Sequence, residues 1–295
     1  MEKYELLGDG DKIILKNIKN FEPEHIFECG QAFRWYREED ESYTTVAYNR
    51  VLNVRKEGQD IVLSPTNLDD FNNIWFHYFD LGRDYSIIKE ELAKDPILKD
   101  AIEFAGGIRI LNQEPFETTI SFIISANNGI PRIMKSIEKM ALNYGRRIGT
   151  NIKGREYYSF PKADVLASAD LDEFNDLTRV GFRGKRILAS SKMISENELD
   201  LQRVFQLTRE EGKEKLMELP GVGPKVSDCI LLFAFDKGEA FPVDVWVKRV
   251  MEYFYLKEEA KLKDIGKEGS RIFGELAGFA QQYLFYYARE KGIGK

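Results

Sequence analysis

The hydrophobic and polar positions change their period along the chain. Over roughly the first 80 residues, short runs rich in β-branched and aromatic residues alternate with turn residues such as Glu57-Gly58. This pattern predicts an antiparallel meander of strands. The runs are KIIL at 12–15, RWY at 34–36, YTTVAY at 43–48, VLNV at 51–54 and DIVL at 60–63.

From Asp84 onward the apolar positions recur at helical intervals. We predict helices over 116–126, 130–144, 162–176, 184–195, 209–218, 225–235, 245–254 and 269–289. The fold class is therefore α+β. An N-terminal antiparallel β-sheet subdomain (1–112) is expected to pack on a mainly α-helical domain (113–295).

Length and composition exclude several classes of protein. No apolar stretch approaches the ~20 residues of a membrane-spanning helix, and the acidic N-terminus lacks the apolar core of an export signal. We therefore expect a cytoplasmic protein without membrane contact. Cys29 and Cys229 are too few for a disulfide framework or a four-cysteine iron–sulfur cluster. The two histidines, His25 and His77, predict no transition-metal site.

The net charge of −6 conceals a separation of charge along the chain. Residues 131–155 are rich in lysine and arginine, with Glu138 as their one acid, and a second basic cluster surrounds Arg183. A basic face of this kind fits a phosphate backbone, although a solvated helix face explains it as well.

The segment LPGVGPKVSDC at 219–229 joins two predicted helices, which makes a helix-hairpin-helix over about 209–236. Gly221 and Gly223 allow a tight turn and close approach of a phosphate to the bare backbone. Successive N–H groups at the start of the second helix would bind an anion without reading a base. The alternative is a glycine-rich turn used only for packing.

Lys225 lies in the first turn of that second helix, where the helix dipole disfavours a cation and so favours the neutral, nucleophilic amine. The alternative is that Lys225 is a surface lysine that only contacts a phosphate. Asp244, in FPVDVW at 241–246, precedes an apolar helical run and suits an N-cap. If it faces Lys225 across a cleft, its carboxylate could also stabilise an oxocarbenium ion.

The hairpin segment followed by FPVDVWV resembles the helix-hairpin-helix glycosylases that carry a Gly/Pro-rich loop and a catalytic Asp. The resemblance narrows to the 8-oxoguanine DNA glycosylases, the branch with both glycosylase and lyase activity. Three further segments are similar to that branch: CGQAFRW at 29–35, SFIISANN at 121–128 and GFAQQYLF at 278–285.

This resemblance implies a monomeric base-flipping enzyme that acts on damaged double-stranded DNA, at the nucleoid if the source is bacterial, without a required cofactor. Lys225 would be the nucleophile and Asp244 its carboxylate partner. The base pocket would contain Gly30, Cys229, Gln281 and Phe285. Cys229 lies four residues after Lys225, and Phe285 four after Gln281, so each pair shares a helix face.

The resemblance also implies a set of DNA contacts with a preference for cytosine opposite the lesion. Arg132 and Arg183 would read the cytosine, with Phe182 as a wedge. The DNA-binding residues are Asn127, Arg132, Arg179, Phe182, Arg183, Gly221, Gly223 and Trp246. The backbone carbonyls of Met217, Leu219 and Val222 would hold a structural monovalent or divalent cation.

The sequence departs from the family pattern at several positions. Trp246 replaces a histidine that contacts the lesion phosphate, Gly129 replaces an asparagine, and Arg186 replaces an aromatic residue. Two other functions remain open from the residues alone. One is a non-catalytic duplex-binding protein, and the other is an alkylated-base glycosylase, which usually lacks the hairpin lysine.

Overall fold

The computed structural model describes residues 3–293 and opens with a six-stranded antiparallel sheet of order β1-β2-β6-β5-β4-β3. The predicted antiparallel sheet is confirmed, but only β3 to β6 follow one another as a meander, because β2 pairs with β6 and not with β3. Tyr48 and Asn49 both have positive φ (49° and 59°), as a tight two-residue turn between β4 and β5 requires. The strands are β1 Glu5–Asp9, β2 Lys12–Lys16, β3 Trp35–Arg37, β4 Tyr43–Ala47, β5 Arg50–Glu57 and β6 Asp60–Ser64.

Helices make up most of the remaining chain. They are α1 Pro23–Glu28, α2 Leu68–Asp70, α3 Phe76–Tyr78, α4 Tyr85–Leu92, α5 Pro96–Ala105, α6 Pro115–Ser125, α7 Ile130–Tyr144, α8 Ala163–Ala167, α9 Leu171–Thr178, α10 Gly184–Ser195, α11 Leu201–Val204, α12 Arg209–Leu216, α13 Pro224–Ala234, α14 Val245–Val250, α15 Leu262–Phe273 and α16 Ala277–Lys291. Short π-helical turns (Phe71–Trp75, Met251–Leu256) and 3-10 turns (Gly181–Arg183, Gly274–Leu276) connect some of them.

Two apolar cores lie side by side. The sheet packs on α1 and the aromatic segment around Trp75, while α6 and α13 run through the middle of the helical core. Helices α4 and α5 precede residue 112, yet their apolar faces also belong to the helical core. We still propose that the boundary between the two subdomains lies between residues 112 and 113.

Three local predictions were wrong. A second hairpin, β7 Arg147–Ile152 with β8 Arg155–Tyr158, lies inside the region predicted to be helical. The predicted helix 162–176 is two helices, because Asp170 caps a new one by accepting hydrogen bonds from the N–H groups of Asp172 and Glu173. The predicted helix 269–289 breaks at Gly274, where φ is +53°.

The predictions for 130–144 and 184–195 coincide with α7 and α10. No helix within residues 3–293 is long and apolar enough to cross a membrane.

Candidate active site

The helix-hairpin-helix is held together on both sides of its turn. Thr208 and Glu211 form a reciprocal capping box that starts α12. The buried carboxylate of Asp228, on α13, accepts from Arg209 (3.1 Å) and Lys213 (2.5 Å), both on α12. These ion pairs fix the two helices relative to each other, and therefore fix the direction in which α13 begins.

The turn itself uses its two glycines differently. Gly221 has φ +94°, and a Cβ there would lie 3.1 Å from Ile123 and 3.2 Å from Arg186, so both conformation and space require glycine. Ser190 anchors the turn by donating from its hydroxyl to the Pro220 carbonyl over 2.9 Å. Gly223 has nothing within 4 Å of an added Cβ, which leaves its backbone accessible to a phosphate.

The turn delivers Lys225 into an open cavity lined by residues of α6, α13 and α16. The lysine nitrogen lies 5.3 Å from the centroid of the Phe122 ring, which forms one wall. Gly30 and Asp244 also line this cavity, as the sequence predicted. The remaining lining residues are Cys29, Cys229, Phe233, Pro242, Gln281, Gln282 and Phe285.

Asp244 is the N-cap of α14, and its Oδ1 accepts from the Val247 N–H over 2.8 Å. Burial raises the pKa of the Asp244 carboxyl, and hydrogen bonds from the backbone and the charge of Lys225 oppose that rise only in part. The N-cap role and the cleft role thus coexist, because one side chain starts the helix and faces the lysine.

Cys229 on α13 and Gln281 on α16 both line the cavity and are almost entirely buried. Burial raises the pKa of the Cys229 thiol to about 11, against the opposing charge of Lys225, so the sulfur is uncharged at neutral pH. The neutral thiol of Cys229 and the half-buried ring of Phe285 both give the cavity lining apolar character.

Gly30 lies at the end of α1 with φ +77°, and a Cβ there would stand 3.2 Å from the Phe285 ring. Arg289 contacts both α1 and the Phe285 ring on α16. Its guanidinium lies 5.4 Å from the centroid of the Phe285 ring and donates to the Glu28 carbonyl over 2.6 Å. Any side chain at position 30 would therefore push on the wall of the cavity.

The buried side chain of Gln31 holds the segment that contains Gly30. Its amide nitrogen donates to the carbonyls of Ile26 and Arg109, and its oxygen accepts from the Leu111 N–H, each over 2.8 Å. All three contacts are to backbone, so they fix the chain path at Gly30 rather than a neighbouring side chain.

A second group of predicted residues gathers at the C-terminal end of α6. Arg183 is buried and donates to the Ala126 carbonyl from Nε (3.0 Å) and Nη2 (2.5 Å), and to the Asn127 carbonyl from Nη2 (2.9 Å). Asn127 is exposed, with φ +50°, in the turn that follows α6. Arg183 therefore serves as a brace for the Asn127 turn in this structure.

Exposed side chains surround this brace. Phe182 is 64 % exposed, and its ring centroid lies 4.4 Å from the Arg183 guanidinium and 5.6 Å from that of Arg186. Burial and the charges of Arg132 and Arg186 lower the pKa of Arg183. Arg186 also contacts the hairpin at Gly221, so a continuous surface runs from Asn127 to the hairpin.

Three further predicted features have the following surroundings. Arg179 is an exposed left-handed residue (φ +60°) that ends α9. Trp246 lies on α14, with the Arg249 guanidinium 5.1 Å from the centroid of its ring. At the suggested cation site, the Leu219 carbonyl already accepts from the Val222 N–H over 3.0 Å, and Met217 ends α12.

Sequence reasoning missed five residues that line the cavity: Cys29, Phe122, Phe233, Pro242 and Gln282. Phe122 lies in the SFI segment that carried the family resemblance, but its position against Lys225 depends on how α6 crosses α13. Gln282 is a second amide directly after Gln281, on a helix that is otherwise apolar here. That doublet of glutamines was the available signal.

Two family models match consecutive parts of the chain. Residues 13–119 match the family model of the 8-oxoguanine DNA glycosylase N-terminal domain. Residues 120–273 match the model of the HhH-GPD superfamily of base excision DNA repair proteins, where HhH-GPD denotes the helix-hairpin-helix with its Gly/Pro-rich loop and Asp.

Individual relatives cover most of the chain. A probable N-glycosylase/DNA lyase of Methanothermobacter thermautotrophicus is 34% identical over 73% of this chain and 72% of its own length. The N-glycosylase/DNA lyase of Arabidopsis thaliana is 32% identical over 88% of this chain and 75% of its own. The solved 8-oxoguanine glycosylase/lyase of Clostridium acetobutylicum, in complex with DNA containing cytosine opposite 8-oxoguanine, is 45% identical with a TM-score of 0.96, covering 99% of this chain and 100% of that one.

Proposed function

The chain belongs to the 8-oxoguanine DNA glycosylases of the HhH-GPD superfamily, and on that premise we propose that Lys225 and Asp244 carry out its reaction. It is a DNA glycosylase and AP lyase of base excision repair whose substrate is damaged duplex DNA. The observation that carries the residue assignment is that Lys225 and Asp244 line one cavity, together with the groups suited to hold a flat base.

The chemistry starts when the damaged nucleotide leaves the stack and enters the cavity, which costs a few kcal/mol. The Lys225 amine attacks C1′ as the bond from C1′ to the base breaks, and the proton that the amine loses balances the proton that the departing base gains. Asp244 stabilises the positive charge that develops on the sugar. The second proton of the amine then passes to O4′ as the C1′–O4′ bond breaks and the C1′=N bond of the Schiff base forms. Loss of a proton from C2′ then allows β-elimination, which breaks the bond from C3′ to the 3′ phosphate and releases the phosphate end of the strand.

The cavity also suits selection of the lesion. Phe285 and Cys229 can enclose a purine, and Gln281 can read its Watson–Crick edge. The N7 of guanine is an acceptor, whereas the N7–H of 8-oxoguanine is a donor. A carbonyl at Gly30 would attract the lesion and repel undamaged guanine, and burial makes that difference large. The rigid segment around Gln31 supports this role.

On the opposite strand we propose a preference for cytosine. Arg132 is exposed and has no ion pair among the residues described, so its donors are available to cytosine. Arg183 would reach the base only by exchanging the carbonyls of Ala126 and Asn127. Asn127 and Phe182 would fill the gap left by the extruded nucleotide, while Gly221, Gly223, Arg179 and Trp246 contact phosphates.

We also propose that the enzyme acts as a monomer. The family needs no cofactor, and two cysteines cannot build a four-cysteine cluster. The carbonyls of Met217, Leu219 and Val222 remain our proposal for a structural monovalent or divalent cation at the hairpin. Because its substrate is genomic DNA, we place the enzyme in the cytoplasm, at the nucleoid if the source is bacterial.

Borohydride trapping tests the assignment directly. The protein is incubated with a duplex that holds 8-oxoguanine opposite cytosine, borohydride is added, and covalent protein–DNA bands are separated. We expect a band that requires both the lesion and Lys225, so Lys225→Gln and undamaged duplex give none.

The other outcomes separate the alternatives. Base release without a band would mean a glycosylase that uses water, as an alkylated-base enzyme does, with Lys225 as a bystander. Binding without release or a band would mean a non-catalytic duplex-binding protein. Either result overturns the proposed roles of Lys225 and Asp244.

A further inference from the structure

Gln282 lines the same cavity as Lys225 and is 3 % exposed. Its amide nitrogen donates to the Oε1 of Gln281 over 2.7 Å. Its own Oε1 is buried and accepts no hydrogen bond from any residue within 3–293.

An unpaired buried acceptor is costly. Leaving such a group without a donor typically destabilises a protein, and an apolar side chain of the same size would avoid the loss. The neighbouring residues of α16, from Ala277 to Leu284, are otherwise small, aliphatic or aromatic, so the helix would tolerate such a side chain. The hydrogen bonds of the described residues therefore give no reason for an acceptor oxygen at position 282.

The hydrogen bond between the two glutamines also fixes what they present to a ligand. Gln282 donates to the Gln281 oxygen and so orients the Gln281 amide. The NH₂ group of Gln281 and the oxygen of Gln282 take no part in that hydrogen bond. Together the two amides offer a ligand one donor, the NH₂ group of Gln281, and two acceptors, the Oε1 atoms of Gln281 and Gln282. The Watson–Crick edge of a guanine-type base offers acceptor (O6), donor (N1–H) and donor (the 2-amino group).

We propose that Gln282 Oε1 accepts a hydrogen bond from the exocyclic 2-amino group of the extruded base, while Gln281 pairs with O6 and N1–H. Gln282 is then a second specificity residue. It distinguishes guanine-type lesions from purines that lack the 2-amino group. This inference rests on the proposed function, since it requires the base to enter this cavity.

The test compares two lesions in otherwise identical duplexes opposite cytosine: 8-oxoguanine, and 8-oxohypoxanthine, which lacks only the 2-amino group. Single-turnover base excision is measured for wild type, Gln282→Met and Gln281→Met. We expect wild type to excise 8-oxoguanine about tenfold faster than 8-oxohypoxanthine, the size of one good hydrogen bond. Gln282→Met should slow excision of 8-oxoguanine about tenfold more than excision of 8-oxohypoxanthine, whereas Gln281→Met should slow both.

Strand cleavage at a preformed abasic site is the control, because that substrate has no base to read. Wild type should cleave it, and failure to do so would count against the proposed function rather than against Gln282. If Gln282→Met slows both lesions equally, or if wild type does not distinguish the lesions, then Gln282 only supports α16 and the inference is wrong. The wild-type comparison needs no variant to fold.

Discussion

The Arg183 guanidinium holds the backbone of Asn127, donating from Nη2 to its carbonyl over 2.9 Å. The same group also donates to the Ala126 and Val180 carbonyls, so Nε, Nη1 and Nη2 are all occupied. The neighbouring Arg132 is exposed and makes no ion pair with any described residue. The two arginines therefore differ in what they can offer to a base.

We predict that Arg132 carries most of the cytosine preference and that Arg183 carries the shape of the Asn127 turn. In a Lys225→Gln background, which prevents cleavage, Arg132→Ala should lower the preference for cytosine over adenine opposite the lesion by about tenfold or more. Arg183→Ala should weaken binding of the two duplexes by the same factor. Equilibrium dissociation constants for the two duplexes measure this.

Lys135→Ala is the matched control, since Lys135 is another exposed cation on α7 without an ion pair in the described chain. Lys135→Ala should weaken binding of both duplexes slightly and reduce the salt dependence of the affinity, as loss of a phosphate contact does. A change in the cytosine-to-adenine ratio in Arg183→Ala, with none in Arg132→Ala, would reverse the assignment.

Asp244→Asn separates the two roles of this side chain. Asparagine also caps helices well, so the melting temperature should change little. The rate of base excision should fall by about 100-fold to 1,000-fold, because a preorganised charge at the reacting centre is lost. A variant that keeps the wild-type rate would show that Asp244 only caps α14.

The same residue predicts a pH dependence. Burial raises the pKa of Asp244, so the ionised form needed for catalysis is lost as pH falls through a value above the usual 3.8. Wild-type single-turnover excision should therefore show an acidic limb at higher pH than a free aspartate would give. The limb should be missing in Asp244→Asn.

Gly30→Ala tests the close approach at the cavity wall. The positive φ of Gly30 costs an alanine roughly 1–2 kcal/mol, and its methyl group would press on Phe285 at 3.2 Å. Excision of 8-oxoguanine should fall at least about tenfold, whereas cleavage of a preformed abasic site, which needs no room for a base, should stay within about twofold.

Gly10→Ala is the control, because Gly10 has a similar φ of +60° but nothing within 4 Å of an added Cβ. It carries the backbone strain without the pressure on Phe285. Equal effects of the two substitutions on excision would show that strain, and not the shape of the cavity, explains the loss.

The sequence predicted most elements because their patterns are local. The alternation in residues 43–63 gave the strands, and the helical period gave α7 and α10 with their observed ends. The hairpin of β7 and β8 was missed because its apolar residues are few. Tyr157 packs against Val46 and Val51 of the distant sheet, and the left-handed pair Lys153-Gly154 was its one local signal.

The site likewise contains residues that the sequence predicts and features that it does not. Lys225, Asp244 and Gly30 belong to recognisable segments, so their joint cavity could be expected. Two facts depend on tertiary packing: the brace between Arg183 and Asn127, and the unpaired oxygen of Gln282. No pattern of neighbouring residues contains either one.

A buried acid outside the active site joins the two halves of the fold. Glu117 on α6 pairs with Arg34, next to β3, over 3.3 Å, and Arg34 also donates to the Tyr158 carbonyl of β8. Burial raises the pKa of Glu117 to about 7, against the opposing charge of Arg34. Glu117 is thus largely protonated in the folded protein at a pH where an unfolded chain would have it ionised.

This shift predicts how stability varies with pH. Between pH 4.5 and about 7 the folded state binds the Glu117 proton more tightly than the unfolded state, so the contribution of this group to stability falls as pH rises and is lost above pH 7. Glu117→Gln should remove that fall, which urea unfolding at pH 5 and pH 8 would show as a smaller difference between the two midpoints. Glu103→Gln removes an exposed carboxyl and should leave the wild-type difference intact. Parallel pH dependences for wild type and Glu117→Gln would mean that Arg34 keeps Glu117 ionised in the folded protein.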